Sequence, residues 1–248
     1  MSYFLVSTSN GKMSIKPVAT YPLNTDSSLL LYYTFETTNG VNLLNNKTGL
    51  YDASLSNTAI VTTANKKNGS QSAYFNGTYL TLPSIIYGIV NSANTGFTVS
   101  CWINVNTVTS SIIWQLGDGN GSGSPAWNGN LGLNLSNSGL NMGSFYHGIN
   151  NQYSASISTG VWYHIVNTFS TSLQSVFYVN GVLYQTFTNA GSRYPFANSP
   201  VSNCLLGTGS YNGSVGAFNT YFNGYVDDFR FYNRVLSAAE IASLYTYK

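Results

Sequence analysis

Charge is what this chain has least of. Only 6% of its 248 residues are Asp, Glu, Lys or Arg, where about 25% is usual for a soluble domain. The basic residues nowhere run longer than Lys66-Lys67, and the net charge is +2. The electrostatic footprint of a nucleic-acid binder is therefore missing. Carboxylates and imidazoles are as scarce: Glu36 and Glu240, Asp26, Asp52, Asp118, Asp227 and Asp228, His147 and His164. Proton-transfer chemistry would have to draw on those nine groups, together with Tyr and Lys. Cysteine is limited to Cys101 and Cys204, which lack the spacing of a zinc or redox motif. Each lies in an apolar, strand-like run and reads as a buried free thiol, with a disulfide as the alternative. No stretch approaches the ~18–20 apolar residues of a membrane span, so membrane insertion is not expected. The opening segment, MSYFLVSTSNGKMSIKP, has no basic start and only a short apolar run, so it does not read as a secretory leader.

What is present is apolar and uncharged-polar material. Hydrophobic residues make up 43% of the chain and aromatics 15%, including 20 Tyr, which is ample to bury. The polar surface has to come from 31 Asn and 57 Ser plus Thr, with 24 Gly for turns. A chain of this size buries roughly 70% of its unfolded surface, enough for a core without disulfides or metals.

Periodicity is two almost throughout, with turn signals every ten or so residues, which argues an all-β sandwich. Residues 1–26 read as a polar N-terminal arm closed by Pro17, Pro22 and Asp26; residues 27–248 form the domain. LLLYYTF (29–35) is the first buried strand, and Asn76-Gly77 marks a turn. In FTVSCWINV (97–105), Phe97, Val99, Cys101 and Ile103 fall on one face and Thr98, Ser100, Trp102 and Asn104 on the other. Asn180-Gly181 between two β-rich runs predicts a type I′ hairpin. The spacing Ser237-x-x-Glu240 predicts a capping box opening a C-terminal helix, with Leu236 and Ile241 as its hydrophobic staple.

The succession LLLYYTFE (29–36), SAYFNGTYLTLP (72–83), FTVSCWINV (97–105), TGVWYHIVNTF (159–169), VFYVNGVLY (176–184) and FNGYVDDFRFYNRVLSAAEIASLY (222–245) resembles a laminin-G-like jelly roll. That domain belongs to the concanavalin A-like lectin/glucanase superfamily, and the last segment is the most specific part of the match. The resemblance implies two stacked antiparallel sheets with ligand loops at the rim. It also implies one structural Ca²⁺ where Glu36 of the first strand meets Asp227 of the last. Hard oxygen ligands suit that ion. The alternative is that Asp227 pairs with an Arg or caps backbone amides. By simple alternation Asp227 shares a face with Phe229 and Phe231, and Asp228 points the other way. A glycosidase needs two carboxyls flanking one bond, so this pair is not expected to serve as one.

Gly117 to Asn130 imitates the first half of a calcium loop but has Gly129 where the closing Glu belongs, so it reads as a flexible loop. Trp127 stands out in it, because aromatic faces stack on sugar rings and amides bond hydroxyls. Trp127, Asp118, Asn128, Tyr146 and Tyr211 are accordingly the expected ligand-binding residues, with His147, Tyr153, Tyr194 and Tyr221 also near the rim. His164 reads as a sheet histidine. The expected function is a non-catalytic glycan-binding or adhesion module. Its partners would be neutral glycans or neighbouring proteins of a surface assembly, on a virus particle or another extracellular surface. A purely structural unit of such an assembly is the alternative, and a glycoside hydrolase the remote one.

Overall fold

The computed structural model describes residues 3–7, 13–17, 22–36, 38–39, 42–43, 45, 51–56, 60–90, 96–117, 131–136, 141–146, 155–172, 174–188, 203–211, 214–217 and 220–247. Two antiparallel sheets form a jelly-roll sandwich, the expected fold class. The eight-stranded sheet runs Val182–Thr188, Gln174–Val179, Trp162–Phe169, Phe97–Val105, Asn223–Tyr232, Ser72–Asn76 and Val61–Thr62, with Leu29–Tyr33 also paired to Asn223–Tyr232. The second sheet is ordered Ala155–Ser156, Asn141–Tyr146, Leu131–Ser136, Ser111–Leu116, Cys204–Leu206, Leu80–Thr81, Ala53–Leu55, Asn42–Leu43 and Thr38–Asn39.

The alternation of Phe97–Val105 decides the layering. Phe97, Val99, Cys101, Ile103 and Val105 enter the inter-sheet core against Trp114, Leu116, Leu133, Leu135 and Leu206. Phe97 stacks on Phe169 at 4.7 Å and on Phe231 at 5.6 Å. Cys101 and Cys204 are both free and buried, and burial pushes each thiol up to about 12, which makes them inert. Asn180 and Gly181 both have positive φ, as the hairpin requires, and Val179 faces Val182 across it. Gly77 also turns the chain at φ 74°, yet the strands on either side of it belong to different sheets.

The outer face of the eight-stranded sheet is partly roofed by the C-terminal helix, Ala238–Thr246. Its capping box forms as expected, Ser237 accepting from the Glu240 amide while Glu240 accepts from the Ser237 amide at 2.7 Å. Leu236, Ile241 and Leu244 pack a second core with Leu29, Val166, Tyr178 and Tyr232. Leu23 joins that core and Asp26 pairs with Arg234, so the end of the expected arm is docked on the sandwich. Among the described residues, Tyr3–Ser7 and Met13–Pro17 pair only with each other. A short helix at Ile85–Val90 was not expected, because a six-residue apolar run does not distinguish helix from strand.

Candidate functional site

The acidic pair of the last strand lies at an irregularity that alternation could not reveal. Between Ser100 and Trp102 the register with Asn223–Tyr232 shifts, and Asp228 adopts φ 50°. This is a β-bulge with an Asp, one of the few side chains that tolerate positive φ, at the special position. Asp227 consequently lies opposite Trp102 on the outer face, not beside Phe229 and Phe231. The two carboxylates do not diverge, contrary to the simple-alternation expectation. They converge on Asn68, whose backbone amide donates to Asp227 Oδ2 at 3.0 Å and whose side-chain amide donates to Asp228 Oδ2.

Asn68 belongs to a loop that all three acids hold. Asp227 also accepts from the Lys67 amide at 2.9 Å and from the Asp228 amide at 2.8 Å. Glu36 Oε1 accepts from the Ser70 and Gln71 amides at 2.9 and 3.0 Å, and its Oε2 takes the Ser70 hydroxyl. Gly69 between them has φ 61° and no room for a Cβ, which would lie 2.3 Å from Glu36 Oε1. Asp228 further accepts from the Tyr32 hydroxyl at 2.9 Å and has Arg230 at 3.7 Å. Burial, helped by the charge of Asp228, raises the Asp227 carboxyl to about 7 against the pull of its three amides. Burial also works against ionised Glu36, but Ser70, Gln71 and Lys66 outweigh it and hold its carboxyl below the usual range.

This donor set does not fit a Ca²⁺ ion. The carboxylate oxygens of Glu36 and Asp227 face N–H groups, the positive ends of peptide dipoles, where an ion would present positive charge. No group of three or more His, Cys, Asp or Glu side chains that could hold a metal occurs among the described residues. The arrangement is the amide-capping alternative. Nor are the acids open to a sugar: Asp227 and Asp228 are 1% and 3% exposed beneath the loop.

His164 Nε2 lies 2.9 Å from Ser100 Oγ, but both are fully buried and Nδ1 has no hydrogen-bond partner among the described residues to orient it. Burial, with the charges of Arg230 and Lys67, lowers the imidazole to about 3, so it stays neutral. The pair lacks the access and the orienting carboxylate of a nucleophilic site.

Trp127, Asp118 and Asn128 lie outside the described residues, as do His147, Tyr153 and Tyr194. Tyr146 ends the strand Asn141–Tyr146, and Tyr211 lies in the short hairpin Ser210–Tyr211 with Ser214–Val215. Tyr221 is half-buried at a bridge to Ile112.

A different aromatic group emerges on the outer face of the eight-stranded sheet, beyond the reach of the helix. Asn104 faces Trp162 on one neighbouring strand and Tyr225 on the other, and Tyr225 faces Tyr74 on the next. Four adjacent strands thus contribute one row, Trp162–Asn104–Tyr225–Tyr74. It spans roughly 14 Å, three strand spacings of about 4.8 Å. The three rings are partly exposed. Tyr74 and Tyr225 lie 4.9 Å apart, and Tyr225 and Trp162 6.4 Å apart although a strand separates them, so these two lean over Asn104. The clasped loop borders the row, with Asn65 accepting from Trp162 Nε1 at 3.0 Å and Lys67 Nζ 4.1 Å over the Trp102 ring. Sequence reasoning missed the row, although Trp162, Tyr74 and Tyr225 all occupy outward positions of recognised strands. Their convergence depends on cross-strand register.

The chain matches the model of the laminin-G-like family of the concanavalin A-like lectin/glucanases superfamily over residues 75–242, and it belongs to that family. No curated protein matches it. Among solved structures, Trypanosoma rangeli sialidase in complex with 2,3-difluoro-KDN is similar over 96% of this chain and 34% of its own, with TM-score 0.63 and 18% identity. The chain therefore spans about a third of the sialidase. Domain 4 of AbnA, an extracellular arabinanase from Geobacillus stearothermophilus in complex with arabinotriose, matches over 88% of this chain and 98% of its own, at TM-score 0.58 and 17% identity. The binding domain of Paraclostridial mosquitocidal protein 1 matches over 88% and 52%, at TM-score 0.61 and 14% identity. At these identities the likeness is one of fold. No helix among the described residues is long and apolar enough to cross a membrane.

Proposed function

We propose that the chain is a non-catalytic carbohydrate-binding module for neutral glycans, and that it binds on the outer face of the eight-stranded sheet. The observation that carries this is the row of three partly exposed rings in one register across four strands. Aromatic faces take the C–H faces of sugars, and the asparagines around them offer hydroxyl partners. The arabinanase domain complexed with arabinotriose supports the reading as a whole-length fold relative. Glu36, Asp227 and Asp228 hold the loop, Asp26 and Glu240 pair with Arg234, and Asp52 accepts from the Asn45 amide, so on this reading binding proceeds without turnover. Screening the intact chain on a glycan array tests this. Binding to neutral glycans that changes little with salt is expected, and incubation with those glycans should release no reducing ends. An empty array, or steady release of reducing ends, contradicts it.

The strand Val182–Thr188, at the edge of its sheet among the described residues, favours a second role, contact with neighbouring proteins of a surface assembly such as a virus particle. It carries no charge and leaves Val182, Leu183 and Tyr184 at 68%, 55% and 45% exposure, and unguarded edges of this kind pair with other chains. Self-association lost in Leu183→Lys would support that role; a wild-type chain that stays monomeric at high concentration would remove it.

A further inference from the structure

Two amide oxygens on the aromatic face are left without partners. Asn104 is 1% exposed and its Oδ1 has no hydrogen-bond partner among the described residues. Asn223, two residues before Tyr225 on the same strand, has an equally enclosed and unpartnered Oδ1. Buried acceptors are nearly always satisfied, so each exception calls for a reason. Both lie on the part of the outer face where Trp162, Tyr225 and Tyr74 are partly exposed.

Asn223 also defines a second row. It faces Asn76 across the strand pair, and the Asn106 amide donates to its carbonyl at 3.1 Å. Since 106, 223 and 76 each lie two residues along from 104, 225 and 74, the amide row Asn106–Asn223–Asn76 runs parallel to the aromatic row. The rows are about 7 Å apart, two residues of strand rise. Neither contains Asp, Glu, Lys or Arg. One row offers apolar faces and the other hydroxyl partners, over a length greater than one sugar ring.

We infer that this double row takes an extended, uncharged glycan of more than one sugar unit, lying across the strands. Its hydroxyls donate to Asn104 and Asn223, which are the specificity residues. The inference rests on the carbohydrate-binding function proposed above and adds the ligand's shape, its charge and the groups that read it. Trp162 and Tyr225 lean over Asn104, so engagement requires those rings to part. Ligand binding therefore perturbs the indole of Trp162. A carboxylated sugar would set its own negative oxygens against these acceptors and is rejected.

Calorimetric titration decides the matter, using neutral gluco-, xylo-, arabino- and manno-oligosaccharides of one to four units, with oligogalacturonate and sialyllactose as the anionic arm. Affinity for the preferred series should rise from one unit to three and then level off, and the anionic arm should not bind. Asn104→Leu and Asn223→Ala should each weaken binding about tenfold, the scale of one lost hydrogen bond. The melting temperature of Asn104→Leu should stay level or rise, because an unpaired acceptor is removed. Binding should change the tryptophan fluorescence of the wild type, and Trp162→Phe should abolish that change. If wild type binds and both asparagine variants bind equally well, this inference falls while the carbohydrate-binding function stands. Equal affinity for one unit and three, or for the anionic arm, overturns the ligand assignment in the same way. If wild type binds none of the panel and the glycan array is empty, both fall.

Discussion

At its Thr98 end the Phe97–Val105 strand meets the C-terminal helix, while at its Asn104 end the same outer face is left to three partly exposed rings. Tyrosines serve both ends. Tyr178 and Tyr232 are buried under Leu236, Ile241 and Leu244, whereas Tyr74 and Tyr225 stand half in water. The covered end converts aromatic area into stability. The open end leaves part of that area in water and keeps two amide acceptors unpaired among the described residues, a local cost of about 1–3 kcal/mol each. The same strands thus yield a covered half and, on the function proposed above, a binding half, and what differs is the element laid over them.

Truncation at the two ends should separate them most widely. Leu244→Ala leaves a cavity in the covered half and should cost about 2–5 kcal/mol in a denaturant titration. Trp162→Ala, already partly in water, should cost roughly 1 kcal/mol. Equal losses would erase the distinction between the halves.

The acids that flank the two halves should respond oppositely to pH. Arg234 and the Ser237 cap hold the Glu240 carboxyl at about 2, below its ordinary 4.5. Its contribution is present above pH 4.5 and is lost as pH falls toward 2. Asp227 titrates near 7 when folded against an ordinary 3.8, so the folded chain binds the extra proton. Stability from this group therefore falls as pH rises from 4 to 7. His164, held at about 3 against 6.5, contributes the reverse slope over much of the same range. Melting curves of Asp227→Asn from pH 4 to 6.5 should show a steeper rise with pH than wild type. An unchanged slope would show that Asp227 is ionised throughout.

Ser237→Ala should cost about 1 kcal/mol at the covered end, because it removes one half of the capping box. The smallest effect is expected at the loop clasp. Chelator or added Ca²⁺ should leave the melting temperature unchanged, since amides already occupy Glu36 and Asp227. A calcium-dependent rise would place an ion there after all.

The covered half was legible in the sequence because its signals are local. A capping box, a staple and an Asn-Gly turn are each spelled within a few residues, and alternation along Phe97–Val105 assigns both faces of that strand. The open half was not. Asp228 at φ 50° breaks alternation within one residue, and nothing in the letters Asp227-Asp228 distinguishes a bulge from a regular strand. Trp162, Tyr225 and Tyr74 lie far apart in sequence and meet only through register, which no single segment encodes. Trp127 drew attention as an aromatic out of place in a loop, whereas the rings of the row are ordinary strand residues on the less buried face. The family resemblance set Glu36 and Asp227 at one calcium ion, whereas in the structure the two carboxylates hold neighbouring amides of one loop. Their partners, the amides of residues 67, 68, 70 and 71, carry no sequence signal at all.

The most direct measurement is a calorimetric comparison of wild type with the Trp162→Ala/Tyr225→Ala double variant, using the best neutral glycan from the array and both proteins shown to be folded at the working temperature. The account predicts that the double variant loses at least about tenfold in affinity, as expected for two lost aromatic contacts, while the covered half keeps the chain folded. Unaltered affinity in a folded double variant would contradict it and move the glycan site elsewhere on the molecule.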